Sequence, residues 1–211
     1  MYKHIIFDFD GTLVDSLRAA LEIYNRLAEE MGLNPVTSDD YRRLQQASMK
    51  ERFKIMGIPR YRIGLIRKLF HQFHERYQEH LGAIHLWGGI KELLARLEEL
   101  GYTVSVITSN SAENVARFFT KRGIVINGAI RSAHGVFGKR QALQKYLRDQ
   151  RLKKHAILYV GDELRDVITC RKARIDIAAV TWGFDQKATL EAAGPRYVLD
   201  HPAQLLEFLD G

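Results

Sequence analysis

The sequence predicts an α/β fold, in which helices cover both faces of a parallel β-sheet and a helical segment is inserted after the first strand. Two observations lead to this prediction. Short Val- and Ile-rich runs alternate with amphipathic helical patterns over most of the 211 residues, as buried parallel strands joined by helices do. From residue 16 to about residue 84, the patterns are helical only.

Each predicted strand is a short apolar run that ends in Gly, Ser, Asn or Asp. The clear candidates are His4–Phe7, Thr103–Thr108, Ala156–Val160 and Ile177–Thr181, and the weaker ones are Gly128–Arg131 and Tyr197–Leu199. Helical patterns lie between them at Gly89–Leu100, Ala112–Arg122, Arg140–Arg151, Leu164–Ala173 and Gln186–Ala193. Strands that alternate with helices in this way predict right-handed crossovers and a Rossmann-like parallel sheet.

The helix pattern that begins at Gly89 illustrates the periodicity. Ile90, Leu93 and Leu97 recur at helical spacing, and Gly101 stands where a glycine commonly ends a helix.

The inserted segment predicts three helices, at Ser16–Met31, Ser38–Met56 and Pro59–Leu81. Ser16, which precedes the first of them, is a plausible N-cap. We therefore expect an α/β core domain formed by residues 1–15 and 85–211, and a helical cap domain formed by residues 16–84.

Composition limits the classes of protein to consider. The chain is 46% hydrophobic and 27% charged, which is ordinary for a soluble globular protein, and no apolar run approaches the ~20 residues that cross a bilayer. The single cysteine, Cys170, excludes an internal disulfide framework and fits a reducing compartment. We expect a cytoplasmic protein without a leader or a membrane partner.

The net charge of +7 is concentrated in one part of the chain. Residues 41–80 hold ten Lys and Arg but only three Glu, whereas the remaining residues hold 22 basic and 22 acidic side chains. This basic window is either a solvated helical face or a surface that attracts an anionic substrate or partner. We do not expect a nucleic-acid partner.

Polar side chains follow the predicted strands where the strands end, which is where parallel α/β sheets bind ligands. They are Asp8 and Asp10 after the first strand, Thr108, Ser109 and Asn110 after the second, and Asp162 with Asp166 after a later one, and Lys139 starts a helix nearby. Residues two apart in a strand point to the same side, so Asp8 and Asp10 need a cation or water between them.

These residue types suit phosphoryl transfer. Clustered carboxylates favour Mg²⁺, and a lysine with a hydroxyl favours a tetrahedral anion. Asp8 could attack phosphorus, and Asp10 could protonate the leaving oxygen and then deprotonate water. Gly11 would let the backbone turn close to the phosphate.

The stretches DFDGTLVDS, VITSN, FGK and GDELRD resemble the four ordered motifs of the haloacid dehalogenase-like (HAD) hydrolase superfamily. The helical insert after the first motif resembles the C1 cap of its phosphoglycolate phosphatase-like branch. The resemblance covers the whole chain and implies the HAD fold with a helical cap.

The resemblance also implies roles for individual residues. Asp8 resembles the nucleophile and a metal ligand, and Asp10 resembles the general acid/base with its main-chain carbonyl on the metal. Asp162 resembles the acidic metal ligand, which Asp166 supports directly or through water. Lys139 resembles the lysine that neutralises the phosphate.

Thr108 resembles the hydroxyl that holds the phosphate, although strand register leaves Ser109 as an alternative. The backbone amides of Phe9 to Gly11 and of Ser109 would contact phosphate oxygens. Asn110 either contacts substrate or caps the following helix.

Other polar residues near the motifs have simpler interpretations. Glu163 should be peripheral because successive residues point apart, and Asp15 leads into a helix. His134 could approach the site on a loop, although a single loop histidine is more often an ordinary surface residue. Two departures from the branch, Arg140-Gln141-Ala142 after the lysine and Arg174 in place of glycine, weaken the case for phosphoglycolate itself as substrate.

The predicted function is hydrolysis of a small organic phosphomonoester, with Mg²⁺ as cofactor and an aspartyl phosphate on Asp8. The alternatives are a phosphosugar mutase of the same superfamily and a non-catalytic module that binds through the basic window. Leu13 and Ala19 exclude an EF-hand loop, and the chain lacks GxxxxGK[ST] and GxGxxG motifs. Neither the phosphomonoester nor the oligomeric state follows from the sequence.

Overall fold

The computed structural model describes residues 2–59, 61–133 and 138–209. Phe137 of the FGK stretch and His134 lie outside these residues. The predicted α/β architecture is confirmed, and every predicted strand is present within one or two residues of its expected bounds. The strands are β1 His4–Phe7, β2 Val14–Asp15, β3 His85–Leu86, β4 Thr103–Thr108, β5 Ile130–Ser132, β6 Ile157–Gly161, β7 Asp176–Val180 and β8 Tyr197–Leu199.

The helices are α1 Leu17–Met31, α2 Ser38–Leu44, α3 Met49–Ile55, α4 Ile63–His80, α5 Ile90–Glu99, α6 Ala112–Lys121, α7 Lys139–Asp149, α8 Leu164–Ala173, α9 Lys187–Ala192 and α10 Gln204–Leu209. None in the described part of the chain is both long and apolar enough to cross a membrane. The chain divides into two compact units, one of Met1–Asp15 with His85–Gly211 and one of Ser16–Ile84. That each unit is an independent domain remains a prediction.

The larger unit contains a six-stranded parallel sheet with the order β5-β4-β1-β6-β7-β8. β1 lies between β4 and β6, and Phe7 pairs with Val106 on one side and Val160 on the other. The strand order reverses at β1, since β4 and β5 extend the sheet one way and β6 to β8 the other. This register brings the carboxyl ends of β1, β4 and β6 together at the switch point where such sheets bind ligands.

Both faces of β1 are buried, which explains its uninterrupted apolar sequence. Ile6 belongs to a buried cluster with Leu143 of α7 and with Val167 and Cys170 of α8. Cys170 is therefore a packed core residue, and burial raises the pKa of its thiol well above the usual value.

Directly after β1, the ring of Phe9 packs edge-to-face on the rings of Phe118 and Phe119 in α6, at centroid distances of 5.2 and 5.7 Å. This contact fixes the chain between Asp8 and Asp10, because a buried aromatic side chain has little freedom to move.

A two-stranded antiparallel ribbon pairs the residues just before the inserted segment with those just after it. Val14 and Asp15 of β2 pair with Leu86 and His85 of β3. The sequence did not predict these two-residue strands, which are too short to show an alternating pattern. Asp15 is exposed in this ribbon and does not begin α1.

The smaller unit contains α1 to α4. Helices α1 and α4 pack against each other, and Arg76 of α4 forms an ion pair of 2.6 Å with Glu30 of α1. Ser16 occupies the predicted N-cap position of α1, but its side chain accepts no hydrogen bond from a backbone N–H of this helix.

The single predicted helix Ser38–Met56 is wrong, because the chain forms α2 and α3 instead. Ser48 begins α3 with a capping box: its hydroxyl accepts a bond from the backbone N–H of Glu51, whose carboxylate accepts one from the backbone N–H of Ser48 at 2.8 Å. This local bonding stops the helix before it and starts a new one. The next helix begins at Ile63 rather than at Pro59.

Many side chains of the basic window lie on the surface of the smaller unit. Arg42 pairs with Asp39, and Arg43 lies 3.5 Å from Asp40, both one turn away on α2. These pairs use acids from outside residues 41–80, so they neutralise part of the excess charge locally. Exposed pairs of this kind contribute little to stability.

Helix α5 ends as predicted, with Gly101 in the left-handed region at φ +80°. Helix α8 ends differently, because its left-handed residue is Arg174, at φ +57° and ψ +52°. A side chain in this region costs about 1–2 kcal/mol relative to glycine.

We therefore expect Arg174→Gly to stabilise the protein by about 0.5–1 kcal/mol, once the greater flexibility of glycine in the unfolded chain is subtracted. Urea unfolding measures this change. Lys172→Gly is the matched control: Lys172 is exposed in the last turn of the same helix, where glycine should cost about 1 kcal/mol. Equal destabilisation by both substitutions would contradict the account of this helix end.

Candidate active site

The predicted site residues meet at the carboxyl edge of the sheet. Asp8 follows β1, Thr108 ends β4, Asp162 follows β6, and Lys139 begins α7. All four residues are almost fully buried, with exposed fractions of 4% or less. Polar groups are rarely buried so completely unless they bind one another or a ligand.

Lys139 connects two of the carboxylates. Its ammonium donates to Asp8 Oδ2 and to Asp166 Oδ1, the latter at 2.6 Å. The other oxygen of Asp8 accepts the backbone N–H of Phe9 at 2.7 Å. A lysine in the first turn of a helix opposes the helix dipole, so its position is explained by these two acidic partners and not by helix stability.

Asp162 is held by three neighbours. The hydroxyl of Thr12 donates to its Oδ1 at 2.7 Å, and the backbone N–H of Phe184 donates to its Oδ2 at 2.8 Å. Gly11 lies against it at φ +77°, and a Cβ at this position would be 2.1 Å from Asp162 Oδ2. Gly11 is thus required by both its backbone conformation and the closeness of Asp162.

Burial and mutual repulsion shift the pKa values of the three acids. Burial raises the pKa of Asp8 by more than Lys139 and Arg165 lower it. Burial, reinforced by neighbouring carboxylates, raises the pKa of Asp162 well above its usual value. For Asp166, burial outweighs the attraction of Lys139 and raises the pKa to about 6.

The pKa of Lys139 is also raised, but for a different reason. Burial lowers it, but the carboxylates of Asp166 and Asp8 raise it by more, so the ammonium stays charged. The charge of Lys139 alone does not offset the burial of these carboxylates, and a further cation beside them would favour their ionised form.

The donor set fits a hard divalent cation. Asp8, Asp162 and Asp166 each present a carboxylate oxygen, and these atoms lie within 4.8 Å of one another. Mg²⁺ prefers oxygen ligands of this kind and keeps part of its water shell. The carboxylate of Asp10 lies outside this group of three, and its predicted metal contact through the main-chain carbonyl remains a prediction.

Asp10 is less buried than Asp8 and has a different partner. Its Oδ2 accepts a bond of 2.9 Å from Nδ2 of Asn110, whose own Oδ1 accepts the backbone N–H of Ser111 at 2.7 Å. The side chain of Ser111 caps α6. Asn110 thus orients the Asp10 carboxylate, a role that neither of the two sequence interpretations of Asn110 included.

Thr108 and Ser109 face different surroundings. Thr108 Oγ1 is fully buried and accepts the backbone N–H of Asn110 at 3.0 Å, which leaves its own hydroxyl proton to donate. The hydroxyl of Ser109 is partly exposed and accepts a bond of 3.2 Å from Nη2 of Arg165. Which hydroxyl holds a phosphate remains a prediction.

Arg165 is a charged residue of the site that the sequence did not single out. Its Nε donates to the carboxylate of Glu163, so Glu163 belongs to the polar network beside the site. Burial lowers the pKa of the Arg165 guanidinium, but Glu163, Asp166 and Asp8 raise it by more. The only available signal was its position inside GDELRD.

The chain is similar to known proteins over most of its length. The family model for haloacid dehalogenase-like hydrolases matches residues 5–180. A phosphoglycolate phosphatase of Synechococcus elongatus is 33% identical over 204 residues, covering 96% of this chain and 95% of that protein. An N-acetylmuramic acid 6-phosphate phosphatase of Pseudomonas aeruginosa is 27% identical over 218 residues, covering 99% and 95%.

The fold also matches solved structures. The crystal structure of a predicted phosphatase from Clostridium acetobutylicum superposes with a TM-score of 0.83 at 19% identity and covers 100% of both chains. At this low identity, the likeness concerns the fold alone.

Gly11→Ala should inactivate the site, because the new methyl group would displace the Asp162 carboxylate. Gly101→Ala is the matched control, since Gly101 has φ +80° but no atom within 4 Å of the added Cβ. We expect each substitution to cost about 1–2 kcal/mol in unfolding free energy from the left-handed backbone, and only Gly11→Ala to lose activity. Full activity of Gly11→Ala would show that Asp162 need not stay where it lies.

Proposed function

Since the chain belongs to the haloacid dehalogenase-like hydrolase family, we propose that it is a Mg²⁺-dependent phosphatase that hydrolyses a small organic phosphomonoester through an aspartyl phosphate on Asp8. One observation carries the proposal. The buried carboxylate of Asp8 lies at the end of the central strand, bonded to the ammonium of Lys139 and grouped with two further acids.

The residues around Asp8 supply the contacts that a phosphoryl group needs. The Lys139 ammonium offsets its negative charge, and the hydroxyl of Thr108 or Ser109 donates to one of its oxygens. The backbone amide of Ser109 is proposed as a further donor. Those of Phe9 and Gly11, which the family resemblance also implied, instead donate to Asp8 Oδ1 at 2.7 Å and to the carbonyl of Val14 at 2.9 Å. The Arg165 guanidinium, fixed by Glu163 and Ser109, adds a second positive charge beside Asp8.

In the first half of the reaction, a carboxylate oxygen of Asp8 attacks phosphorus and the bond from phosphorus to the leaving oxygen breaks. The carboxyl group of Asp10 gives its proton to that oxygen, so the product leaves as a neutral alcohol. The bond from Asn110 to Asp10 Oδ2 holds this acid in a fixed orientation.

In the second half, the Asp10 carboxylate accepts a proton from water, whose oxygen attacks the phosphorus of the aspartyl phosphate. The bond between phosphorus and Asp8 breaks, which releases inorganic phosphate and restores the Asp8 carboxylate. Asp10 thus acts as acid and then as base, and ends the cycle protonated.

Mg²⁺, when held by Asp8, Asp162, Asp166 and the main-chain carbonyl of Asp10, would supply the positive charge that lets a phosphate dianion approach the carboxylates. Without added charge, burial favours the protonated form of Asp8, and a protonated carboxyl group is a poor nucleophile.

The substrate class is a small phosphomonoester. The relatives named above are a phosphoglycolate phosphatase and an N-acetylmuramic acid 6-phosphate phosphatase, so both compounds belong in the first test. We propose no nucleic-acid or membrane partner.

The test of function is phosphate release from a panel of phosphomonoesters, with Mg²⁺ and then with EDTA. The panel includes phosphoglycolate, N-acetylmuramic acid 6-phosphate, hexose phosphates and nucleoside monophosphates. We expect metal-dependent release that is strongest on one or two compounds. Transfer of phosphate within hexose phosphates, with no release, would replace the phosphatase by a mutase.

Asp8→Asn should abolish turnover while leaving the fold intact, because an amide cannot attack phosphorus. Phosphate release on the best substrate measures turnover, and circular dichroism measures the fold. Asp15→Asn, on the exposed ribbon, is the control and should keep full activity. Turnover by Asp8→Asn above the background of the assay would refute the covalent mechanism.

A further inference from the structure

Two indole groups hold the loop that follows Asp8. We propose that Trp87 and Trp182 are positioning residues, which fix the backbone of residues 8–13 (the Asp8 loop) by hydrogen bonds to two successive carbonyls. This proposal rests on the proposed function and adds a role for residues outside the four motifs. Trp87 and Trp182 are the two tryptophans of the chain.

The two bonds are direct and of ordinary length. Nε1 of Trp87 donates to the carbonyl of Gly11 at 3.1 Å, and Nε1 of Trp182 donates to the carbonyl of Thr12 at 3.0 Å. Each bond fixes the plane of one peptide group. Backbone carbonyls in a tight loop have no strand or helix partner, so side-chain donors are a means of satisfying them.

Trp182 belongs to a continuous set of contacts that reaches Asp162. The residue it holds, Thr12, donates through its hydroxyl to Asp162 Oδ1, and Phe184 donates through its backbone to Asp162 Oδ2. Between them, Gly183 has no room for a side chain, since a Cβ there would lie 2.2 Å from the Cβ of Asp162. Residues 182–184 therefore position the Asp8 loop and the Asp162 carboxylate together.

Trp87 acts on the loop from a different element. It follows β3, and it bonds the loop twice, because its backbone N–H also donates to the carbonyl of Leu13 at 3.1 Å. Its indole donates to the carbonyl of Gly11, whose own backbone N–H donates to the carbonyl of Val14 at 2.9 Å. Loss of the Trp87 indole donor should therefore disturb the Asp8 loop and have a smaller effect on the hydrogen bonds to Asp162, which come from Thr12 and Phe184.

The two positions predict separable effects. Loss of the Trp182 donor should lower kcat and weaken Mg²⁺ binding, because Thr12 also bonds Asp162. Loss of the Trp87 donor should lower kcat and weaken Mg²⁺ binding less than loss of the Trp182 donor does. A single neutral hydrogen bond corresponds to a change of about 3- to 10-fold in rate, and KM should change less than kcat.

The experiment replaces each tryptophan by phenylalanine and, separately, by 3-benzothienylalanine, in which sulfur replaces the indole N–H and the ring size is kept. The sulfur analogue tests the donor alone if the phenylalanine variant packs poorly. Steady-state kinetics gives kcat and KM, and calorimetric titration with Mg²⁺ gives metal affinity independently of activity.

Tyr24→Phe is the matched control, because it removes a hydroxyl that donates to the carbonyl of Asn34 at 2.8 Å in the smaller unit. It should lower thermal stability and leave kcat unchanged. Incorporation of 5-fluorotryptophan, which keeps the N–H donor, should preserve kcat at both positions.

Tryptophan emission gives a second readout. With Trp87→Phe, the remaining indole is Trp182, and its emission should change on addition of Mg²⁺ alone. With Trp182→Phe, the emission of Trp87 should change when beryllium fluoride, a phosphate mimic, is added at a saturating concentration of Mg²⁺.

The outcomes separate this proposal from the proposed function. Sulfur analogues with kcat and Mg²⁺ affinity within twofold of the parent would overturn the positioning role while the phosphatase stands. A parent protein that releases no phosphate would overturn the phosphatase, and the Mg²⁺ titrations would then support or refute the link between Trp182 and Asp162 by themselves.

Discussion

The constraint on which the site depends is the burial of three carboxylates close to one another. Asp8, Asp162 and Asp166 are each 2% exposed or less, and their ligand atoms lie within 4.8 Å. Buried like charges are stable only with compensating charge and hydrogen bonds. The surroundings supply both. Lys139 bridges two of the acids, and Thr12 and Phe184 donate hydrogen bonds to the third. This need for compensation explains why a lysine occupies the first turn of a helix, where the helix dipole disfavours it.

The sheet makes this arrangement possible because its register fixes where each strand ends. Asp8 and Asp162 follow adjacent strands, so their separation is set by the ladder between β1 and β6 and not by side-chain choice. Two glycines also shape the surroundings of Asp162. Gly11 and Gly183 lie against Asp162 with no space for a Cβ, so that two loops distant in sequence can both approach this residue.

The sequence predicted the sheet and the acids better than the supports around them. Buried parallel strands are visible as apolar runs, and their carboxyl ends point to a site by topology alone. The supports come from residues distant in sequence, such as Trp182 on Thr12 or Arg165 on Ser109, and no local pattern encodes such contacts. The break at Ser48 is different, because it has a local signal in the sequence, the Ser-x-x-Glu capping pattern. In the structure this capping outweighs the helical periodicity from which one continuous helix was predicted.

The excess positive charge of the chain lies in a different part of the sequence from the residues of the site. Outside residues 41–80, basic and acidic side chains are equal in number, and the site itself carries more carboxylates than cations. In the proposed mechanism a divalent metal would balance a phosphate dianion there, so the excess of +7 in residues 41–80 would not be needed for phosphoryl transfer. Relatives named for phosphoglycolate and for N-acetylmuramic acid 6-phosphate match nearly the whole chain. The groups proposed to bind the phosphate oxygens would serve either compound, so selectivity would come from contacts with the leaving group.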